Sequence, residues 1–257
     1  MTMPVELSGG NMNAPSIEGG VIYKGAHKAS ANVDALLRHA RSKGLDWVPE
    51  SFGVTGGKHA LSFVEGDVVH DSPRWLLKKR LLAESARRLR AWHDATADFV
   101  PVNGDWLLEA EGPNEVVCHN DFAPYNWVFD RRRRLVGLID FDTCAPGSRL
   151  WDIAYAAYRI VPLMPFGDAA EYIETSPFPV RKTLARTRYF LARYASGDPK
   201  LLYAVEDVVD RLSRRLAAIA EWSEAEGLRS GNQELLAHAR MYRKHAAWAA
   251  NVLMGAL

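Results

Sequence analysis

One stretch of the chain, Val116 to Asp142, constrains the fold and the function more than any other. It contains an apolar run, a polar loop, a short hairpin and a closing pair of carboxylates. Asp121 stands two positions after His119, and Asn126 stands five positions after Asp121. Asp140 follows Asn126 by fourteen positions, at the end of the second hairpin strand. Because the hairpin folds the chain back on itself, we expect it to bring Asp140 beside Asn126.

These residue types suit the transfer of a phosphoryl group from a nucleotide. That reaction requires metal ions that neutralise the phosphates and one group that orients the attacking hydroxyl. Asn126 and Asp140 offer the hard oxygen ligands that Mg²⁺ prefers. Asp121 is placed to accept the proton of an acceptor hydroxyl, whereas His119 is expected to brace the loop. A single Asp or Asn beside a strand is usually a turn former, but four polar positions at these spacings between apolar strands favour a catalytic set.

The same stretch resembles the catalytic and metal-binding loops of aminoglycoside phosphotransferases, choline kinases and their small-molecule kinase relatives. The similarity rests on His-x-Asp-x4-Asn, followed by a strand and Ile-Asp-Phe-Asp, and it extends to the corresponding loops of protein kinases. Asp142 stands where a protein kinase has glycine, which favours the small-molecule branch, and we expect it to help at the metal. The downstream segment RLWDIAY is also similar to the family and implies that Asp152 braces the catalytic loop.

The resemblance implies an α+β, bilobal fold of the protein kinase type. A small β-rich lobe, residues 1–66, would bind the nucleotide, and a larger, mainly helical lobe, residues 67–257, would carry catalysis and the acceptor site. In the resembled family a basic residue on a strand of the small lobe reaches the α- and β-phosphates, and Lys24 matches it here. Such kinases usually place a glutamate on the following helix to hold the lysine. This helix has only Asp34, so the partner of Lys24 stays open.

Two more places in the small lobe match the order of the family's motifs. Gly10, the second glycine of a pair, lets a backbone close over phosphates, although glycine pairs also make plain hairpin turns. In the resembled family, backbone groups at the positions of Phe63 to Glu65 pair with the adenine edge. A strand that ends at a glycine explains the same letters without a nucleotide, so both interpretations stay open for Phe63 and Glu65.

Hydrophobic periodicity and capping signals predict the remaining elements. The predicted helices are residues 30–44, 72–93, 151–159, 180–195, 199–226 and 232–254. The predicted strands around the polar residues are 21–24, 116–118, 126–129 and 135–139. A further hairpin is expected to turn at Gly56 and Gly57.

Composition excludes several classes of protein. Apolar residues make up 48% and charged residues 25% of the chain, as in ordinary globular domains. With a net charge of +1, no strong electrostatic attraction to nucleic acid or to membranes is expected. The first residues lack the basic and apolar segments of a signal peptide, so a cytoplasmic location is expected. Cys118 and Cys144 are expected to be small buried residues and not a disulfide framework.

The sequence therefore predicts a kinase that moves the γ-phosphoryl group of ATP or GTP, with Mg²⁺, to a hydroxyl of a small molecule. An aminoglycoside, another antibiotic and a metabolite all stay open as acceptors, and neither a monomer nor a dimer is favoured. A kinase-like protein that binds nucleotide without catalysis is one alternative, favoured by the missing helix glutamate. A metal-dependent hydrolase built on His119, Asp121 and Asp140 is another, but it needs further ligands that the sequence does not cluster.

Overall fold

The computed structural model describes residues 5–6, 15–167 and 175–257. The α-helices of this part of the chain are α1 (Ser30–Ser42), α2 (Lys79–Thr96), α3 (Arg149–Ile160), α4 (Val180–Ala195), α5 (Val205–Ser230) and α6 (Gln233–Trp248). Its strands are β1 (Val5–Glu6), β2 (Ser16–Glu18), β3 (Val21–Gly25), β4 (Ser51–Thr55), β5 (Lys58–Ser62), β6 (Asp67–Val68), β7 (Val116–Cys118), β8 (Trp127–Phe129), β9 (Leu135–Leu138) and β10 (Ala145–Gly147).

Internal contacts divide the chain into two units. Among the described residues, the first unit takes those up to His70 together with 91–121 and 125–148. The second takes 71–90, 122–124 and 149–257. All the strands named above lie in the first unit, and α3 to α6 lie in the second. The predicted lobe boundary between residues 66 and 67 stays a prediction.

The largest sheet of the first unit has the strand order β1-β2-β3-β5-β4, and all neighbours are antiparallel. β3 and β5 pair in a register that sets Lys24 opposite His59. Gly56 and Gly57 both have positive φ, 59° and 73°, as the two central residues of a tight hairpin turn between β4 and β5 require. The predicted turn is therefore confirmed. β2 escapes the sequence prediction because its three residues show no long alternating pattern.

The predicted hairpin of the central stretch is also confirmed. β8 pairs with β9 and with β6, and Trp127 lies opposite Leu138. The side chains of Trp127 and Leu138 are buried, so this part of the hairpin packs in the interior of the unit. β7 pairs with β10. β10 is not predicted from the sequence, because Pro146 lacks a backbone donor and a proline is unusual inside a strand.

Two glycines let the chain approach this hairpin closely. Gly66 has a φ of +143°, and a Cβ there would lie 2.6 Å from the carbonyl oxygen of Phe129. A Cβ on Gly137 would lie 2.4 Å from a methyl group of Val64. Both positions therefore require glycine for the segment before β6 to pack against the hairpin.

The core of the first unit includes the apolar face of α1 and the end of α2. Leu36, Leu37 and the predicted neighbours on that face are buried, which confirms the periodicity argument. Trp92 is fully buried, and its indole N–H donates to the carbonyl oxygen of Val117 at 2.8 Å. Cys118 and Cys144 are buried free thiols, as expected.

In the second unit, the predicted helix over residues 180–195 is confirmed, since α4 has the same bounds. Two predicted helix starts are wrong. Pro73 is extended and precedes a single 3-10 turn, and α2 begins only at Lys79. Pro199 likewise opens a 3-10 turn capped by the Asp198 side chain, and α5 begins at Val205. A proline fits the first turn of either kind of helix, so it marks a start without giving the helix type.

The helices of the second unit are joined by aromatic and basic side chains. The guanidinium of Arg215 stacks over the ring of Trp151, with its central carbon 4.9 Å from the ring centroid. The hydroxyl of Tyr158 on α3 lies 2.7 Å from Nδ1 of His245 on α6, and both side chains are buried. None of the helices in the described part of the chain combines the length and the apolar character that crossing a membrane requires.

Candidate active site

The loop after β7 is closed by hydrogen bonds to one carboxylate. Oδ1 of Asp121 accepts a hydrogen bond from the hydroxyl of Tyr125 at 2.5 Å. Oδ2 accepts one from Nδ2 of Asn126 at 2.9 Å. The same Nδ2 also donates to the main-chain oxygen of Asp121 at 2.9 Å. Both carboxylate oxygens are thereby oriented by residues of the same short loop.

His119 sits beneath this loop and is fully buried. Its Nδ1 accepts a hydrogen bond from the backbone N–H of Asp121 at 3.3 Å. Its ring packs against Phe141, with centroids 4.8 Å apart, and against the edge of Trp92. A ring enclosed in this way is suited to bracing the loop, and this role of His119 stays a prediction.

A reciprocal pair of hydrogen bonds joins the loop to the segment that follows β9. Nδ2 of Asn120 donates to the carbonyl oxygen of Thr143 at 2.8 Å, and the Thr143 hydroxyl donates to the carbonyl oxygen of His119 at 3.0 Å. Asn120 has a left-handed φ of 64°, a conformation that Asn tolerates better than most residues. These bonds fix the position of Asp121 relative to the second polar segment.

Asp140 follows β9 directly and also has a left-handed φ, 62°. The side chain lies deep among the atoms of the unit, yet 54% of its surface is open to solvent. Burial raises the pKa of Asp140 to about 6, and the charges of Asp142 and Asp121 add to the increase while Lys24 opposes it. Three carboxylates therefore interact electrostatically at this place.

Lys24 meets the second of the paired carboxylates. Its Nζ lies 2.5 Å from Oδ1 of Asp142 and 3.9 Å from Oδ1 of Asp140. Nε2 of His27 lies 3.2 Å from the same Oδ1 of Asp142. Because Nδ1 of His27 accepts from the backbone N–H of Ala29, a neutral ring carries its hydrogen on Nε2, although this group makes no well-aligned hydrogen bond to the carboxylate. Burial alone would raise the pKa of Asp142, but His27 and Lys24 lower it to about 2.

Asp34, the acidic residue of α1, has other partners. It accepts hydrogen bonds from the side chain of Arg38 and from the hydroxyl of Ser51, the latter at 2.6 Å. The Ser51 hydroxyl also lies 2.8 Å from Nε2 of the buried His59. Burial lowers the pKa of His59 to about 4, and the charge of Lys24 acts in the same direction. The carboxylate partner of Lys24 is therefore Asp142 and not a helix residue.

The sequence predicts four further site positions. Phe63 and Glu65 are exposed, and the backbone N–H of Phe63 already donates to the carbonyl oxygen of Gly20 at 2.8 Å. The pairing of Phe63 and Glu65 with an adenine edge stays a prediction. Asp152 is fully buried in the first turn of α3, in the second unit, and its bracing role stays a prediction. Gly10 lies outside the described residues.

The oxygen ligands at this site fit a magnesium ion. With Nδ2 of Asn126 donating to Asp121, Oδ1 is the amide's remaining ligand atom. Burial raises the pKa of Asp140, and the negative charges of Asp142 and Asp121 add to this increase, which a divalent cation would oppose. The described residues contain no group of three or more His, Cys, Asp or Glu arranged to hold a metal ion. Mg²⁺ does not need such a group, since it binds through one or two carboxylates, water and substrate phosphates.

The contacts that Tyr125, His27 and Thr143 make at this site are not predicted from the sequence. Tyr125 is four positions from Asp121 and lies within the loop, so its spacing is a usable signal. His27 and Thr143 give no comparable signal, because their partners come from other segments of the chain.

A family model described as "Phosphotransferase enzyme family" matches residues 42–175. The trifolitoxin immunity protein of Rhizobium leguminosarum bv. trifolii is 31% identical over 237 residues, which covers 86% of this chain and 88% of that protein.

Solved structures with little sequence identity share the fold. Choline kinase from Cryptosporidium parvum Iowa II aligns with a TM-score of 0.67 and 10% identity, over 99% of this chain and 90% of that one. The GDP complex of aminoglycoside 2'-phosphotransferase-IIIa aligns with a TM-score of 0.62 and 13% identity, over 96% and 93% of the two chains. These alignments confirm the α+β, kinase-type fold predicted from the sequence.

Proposed function

We propose, from the premise that this chain belongs to the phosphotransferase enzyme family, that it moves the γ-phosphoryl group of ATP or GTP to a hydroxyl of a small molecule. Family membership makes the chain a small-molecule kinase. The observation that carries the finer proposal is the convergence of Lys24, Asp140 and Asp142 with the loop of Asp121 and Asn126 inside one unit.

Asp121 is the proposed base. The acceptor hydroxyl donates its hydrogen bond to the carboxylate, and its oxygen forms a bond to the γ-phosphorus. The bond from that phosphorus to the bridging oxygen breaks, the nucleoside diphosphate leaves, and the proton goes to Asp121. Asn126 holds Oδ2 in place, so the other carboxylate oxygen faces the acceptor.

Asn126 and Asp140 would hold Mg²⁺, which supplies positive charge against the phosphate oxygens when bound. Lys24 is proposed to bind the α- and β-phosphates as a mobile point charge. Without nucleotide, Asp142 neutralises this ammonium group. When Lys24 moves to the phosphates, His27 still lies beside Asp142.

The relative that is 31% identical favours one class of acceptor. Its name assigns it to immunity against trifolitoxin, and we propose by analogy that the acceptor here is an antimicrobial compound with a free hydroxyl. Phosphorylation would add roughly two negative charges and so change recognition of the compound by its target. A protein that only binds nucleotide is less well supported, because Asp121, Asn126 and Asp140 are all present.

The test is incubation of the purified protein with Mg²⁺ and ATP or GTP against a panel of hydroxylated antimicrobials, amino alcohols and sugars. Nucleoside diphosphate release and the acceptor mass are both recorded. The expected result is a gain of one phosphate on one acceptor, lost in Asp121→Ala. Bound nucleotide without any phosphorylated product across a broad panel would point instead to a protein that has lost catalysis.

A further inference from the structure

The proposed base is already hydrogen-bonded to a hydroxyl group of its own chain. The phenol of Tyr125 donates to Oδ1 of Asp121 at 2.5 Å, while the amide of Asn126 donates to Oδ2 at 2.9 Å. The phenol is the same kind of donor as the alcohol that the reaction needs at this carboxylate. Tyr125 therefore makes the contact that an acceptor hydroxyl has to make.

The two donors differ in how firmly they are held. Asn126 is buried, with 6% of its surface exposed, and it also bonds the main-chain oxygen of Asp121. Tyr125 is only part-buried. Because the side chain of Tyr125 is partly open to solvent, we expect its displacement from Oδ1 to disturb the loop less than displacement of the buried amide of Asn126 would.

We infer that Tyr125 determines the choice between alcohol and water, because its phenol holds the place of the acceptor hydroxyl on Asp121 until an acceptor displaces it. The inference rests on the proposed function of Asp121 as the base. It gives the loop a function that Asp121, Asn126 and Asp140 do not provide. A kinase has to keep water, which is always present, from reacting with the nucleotide when no acceptor is bound.

The reaction that Tyr125 prevents is hydrolysis of the nucleotide. A water molecule would donate its hydrogen bond to Oδ1 of Asp121, and its oxygen would form a bond to the γ-phosphorus. The bond between that phosphorus and the bridging oxygen would break, the water proton would go to Asp121, and phosphate and nucleoside diphosphate would leave. With the phenol on Oδ1, a water molecule has to displace the phenol to take its position on this oxygen.

The test is release of inorganic phosphate from ATP and from GTP, with Mg²⁺ and no acceptor. Tyr125→Phe removes the hydroxyl and keeps the ring. We expect phosphate release to rise on the order of tenfold, the factor that corresponds to about 1.4 kcal/mol, the scale of one hydrogen bond to a charged group. The double variant Tyr125→Phe/Asp121→Asn should not show this increase in phosphate release, because the attacking water needs Asp121 to accept its proton.

A matched control is Tyr189→Phe, in which another part-buried tyrosine, packed against Arg193 in α4, loses its hydroxyl. Its phosphate release should equal that of the wild type. Thermal unfolding of each variant shows that the fold is intact. A tyrosine with a purely structural role would lower the rate on mutation and not raise it.

Three outcomes overturn the inference. Unchanged or lower phosphate release in a folded Tyr125→Phe variant that still binds nucleotide would remove the role of Tyr125 and leave the proposed function standing. A phosphorylated Tyr125 in the incubated wild type, seen by mass spectrometry, would make the phenol an acceptor and not a placeholder. Absence of nucleotide binding in both wild type and variant would remove the proposed function as well.

Discussion

The catalytic loop and the Lys24 contact are assembled in different ways. In the loop, the carboxylate of Asp121 is hydrogen-bonded by Tyr125 and Asn126, four and five positions away. Lys24 meets Asp142 across 118 positions of the chain. A loop closed by neighbouring residues loses little conformational entropy when it closes. The Lys24 contact, in contrast, forms only once distant strands are in place.

This difference separates two tasks within one unit. The loop orients the group proposed to take the acceptor proton, and its geometry depends on its own residues. The Lys24 contact, joined by His27 at the same carboxylate, is the part proposed to bind phosphates. Substitution of Asp121 should therefore change turnover at constant nucleotide affinity, and substitution of Lys24 should change affinity.

The largest effect is expected at the base. Asp121→Asn keeps the size of the side chain and removes its ability to accept a proton, so phosphoryl transfer to the acceptor found in the panel should fall by about 10²- to 10⁴-fold. The measurement is initial rate under saturating nucleotide. Asp98→Asn is the control, because Asp98 is an exposed carboxylate paired with Lys43 and should have no effect. A loss of less than about tenfold would remove Asp121 from the role of base.

The next prediction concerns the packing of the segment before β6 against the hairpin of β8 and β9. Gly66→Ala puts a methyl group 2.6 Å from the carbonyl oxygen of Phe129 at a positive φ. We expect a loss of about 2–3 kcal/mol in the free energy of unfolding, measured by urea denaturation. Gly104→Ala, which meets nothing within 4 Å, is the control. Equal stability of the two variants would show that the segment before β6 does not support the hairpin.

A smaller effect concerns the stability in acid of the sheet that carries Lys24, where His59 lies opposite Lys24. Burial lowers the pKa of His59 to about 4 from its ordinary value of 6.5. Between these values the unfolded chain holds a proton on His59 that the folded chain does not hold, so the contribution of His59 to stability should fall as the pH decreases from about 6.5 to about 4. His59→Gln should remove on the order of 1–2 kcal/mol of that fall. The check is urea unfolding at a series of pH values, and an unchanged slope in the variant would contradict the prediction.

The same comparison explains how far the sequence alone could predict the molecule. The spacing of His119, Asp121 and Asn126 is readable because their contacts are local, and the hairpin that follows is marked by apolar runs on both sides of a polar tip. The pairing of Lys24 with Asp142 is not readable, because no pattern in one segment names a partner in another. β10 and the starts of α2 and α5 are mispredicted where proline permits more than one backbone conformation.

The most direct test of the separation is a titration of Mg²⁺-ATP and Mg²⁺-GTP into wild type, Asp121→Asn and Lys24→Met by calorimetry. Lys28→Met, at an exposed lysine close by in the chain, is the control. We predict that one nucleotide binds wild type, Asp121→Asn and Lys28→Met with equal affinity. Lys24→Met should bind it on the order of tenfold or more weakly, because a charge-assisted contact to phosphate is lost. Equal loss of affinity in Asp121→Asn and Lys24→Met, or no binding of either nucleotide to the wild type, would contradict the account.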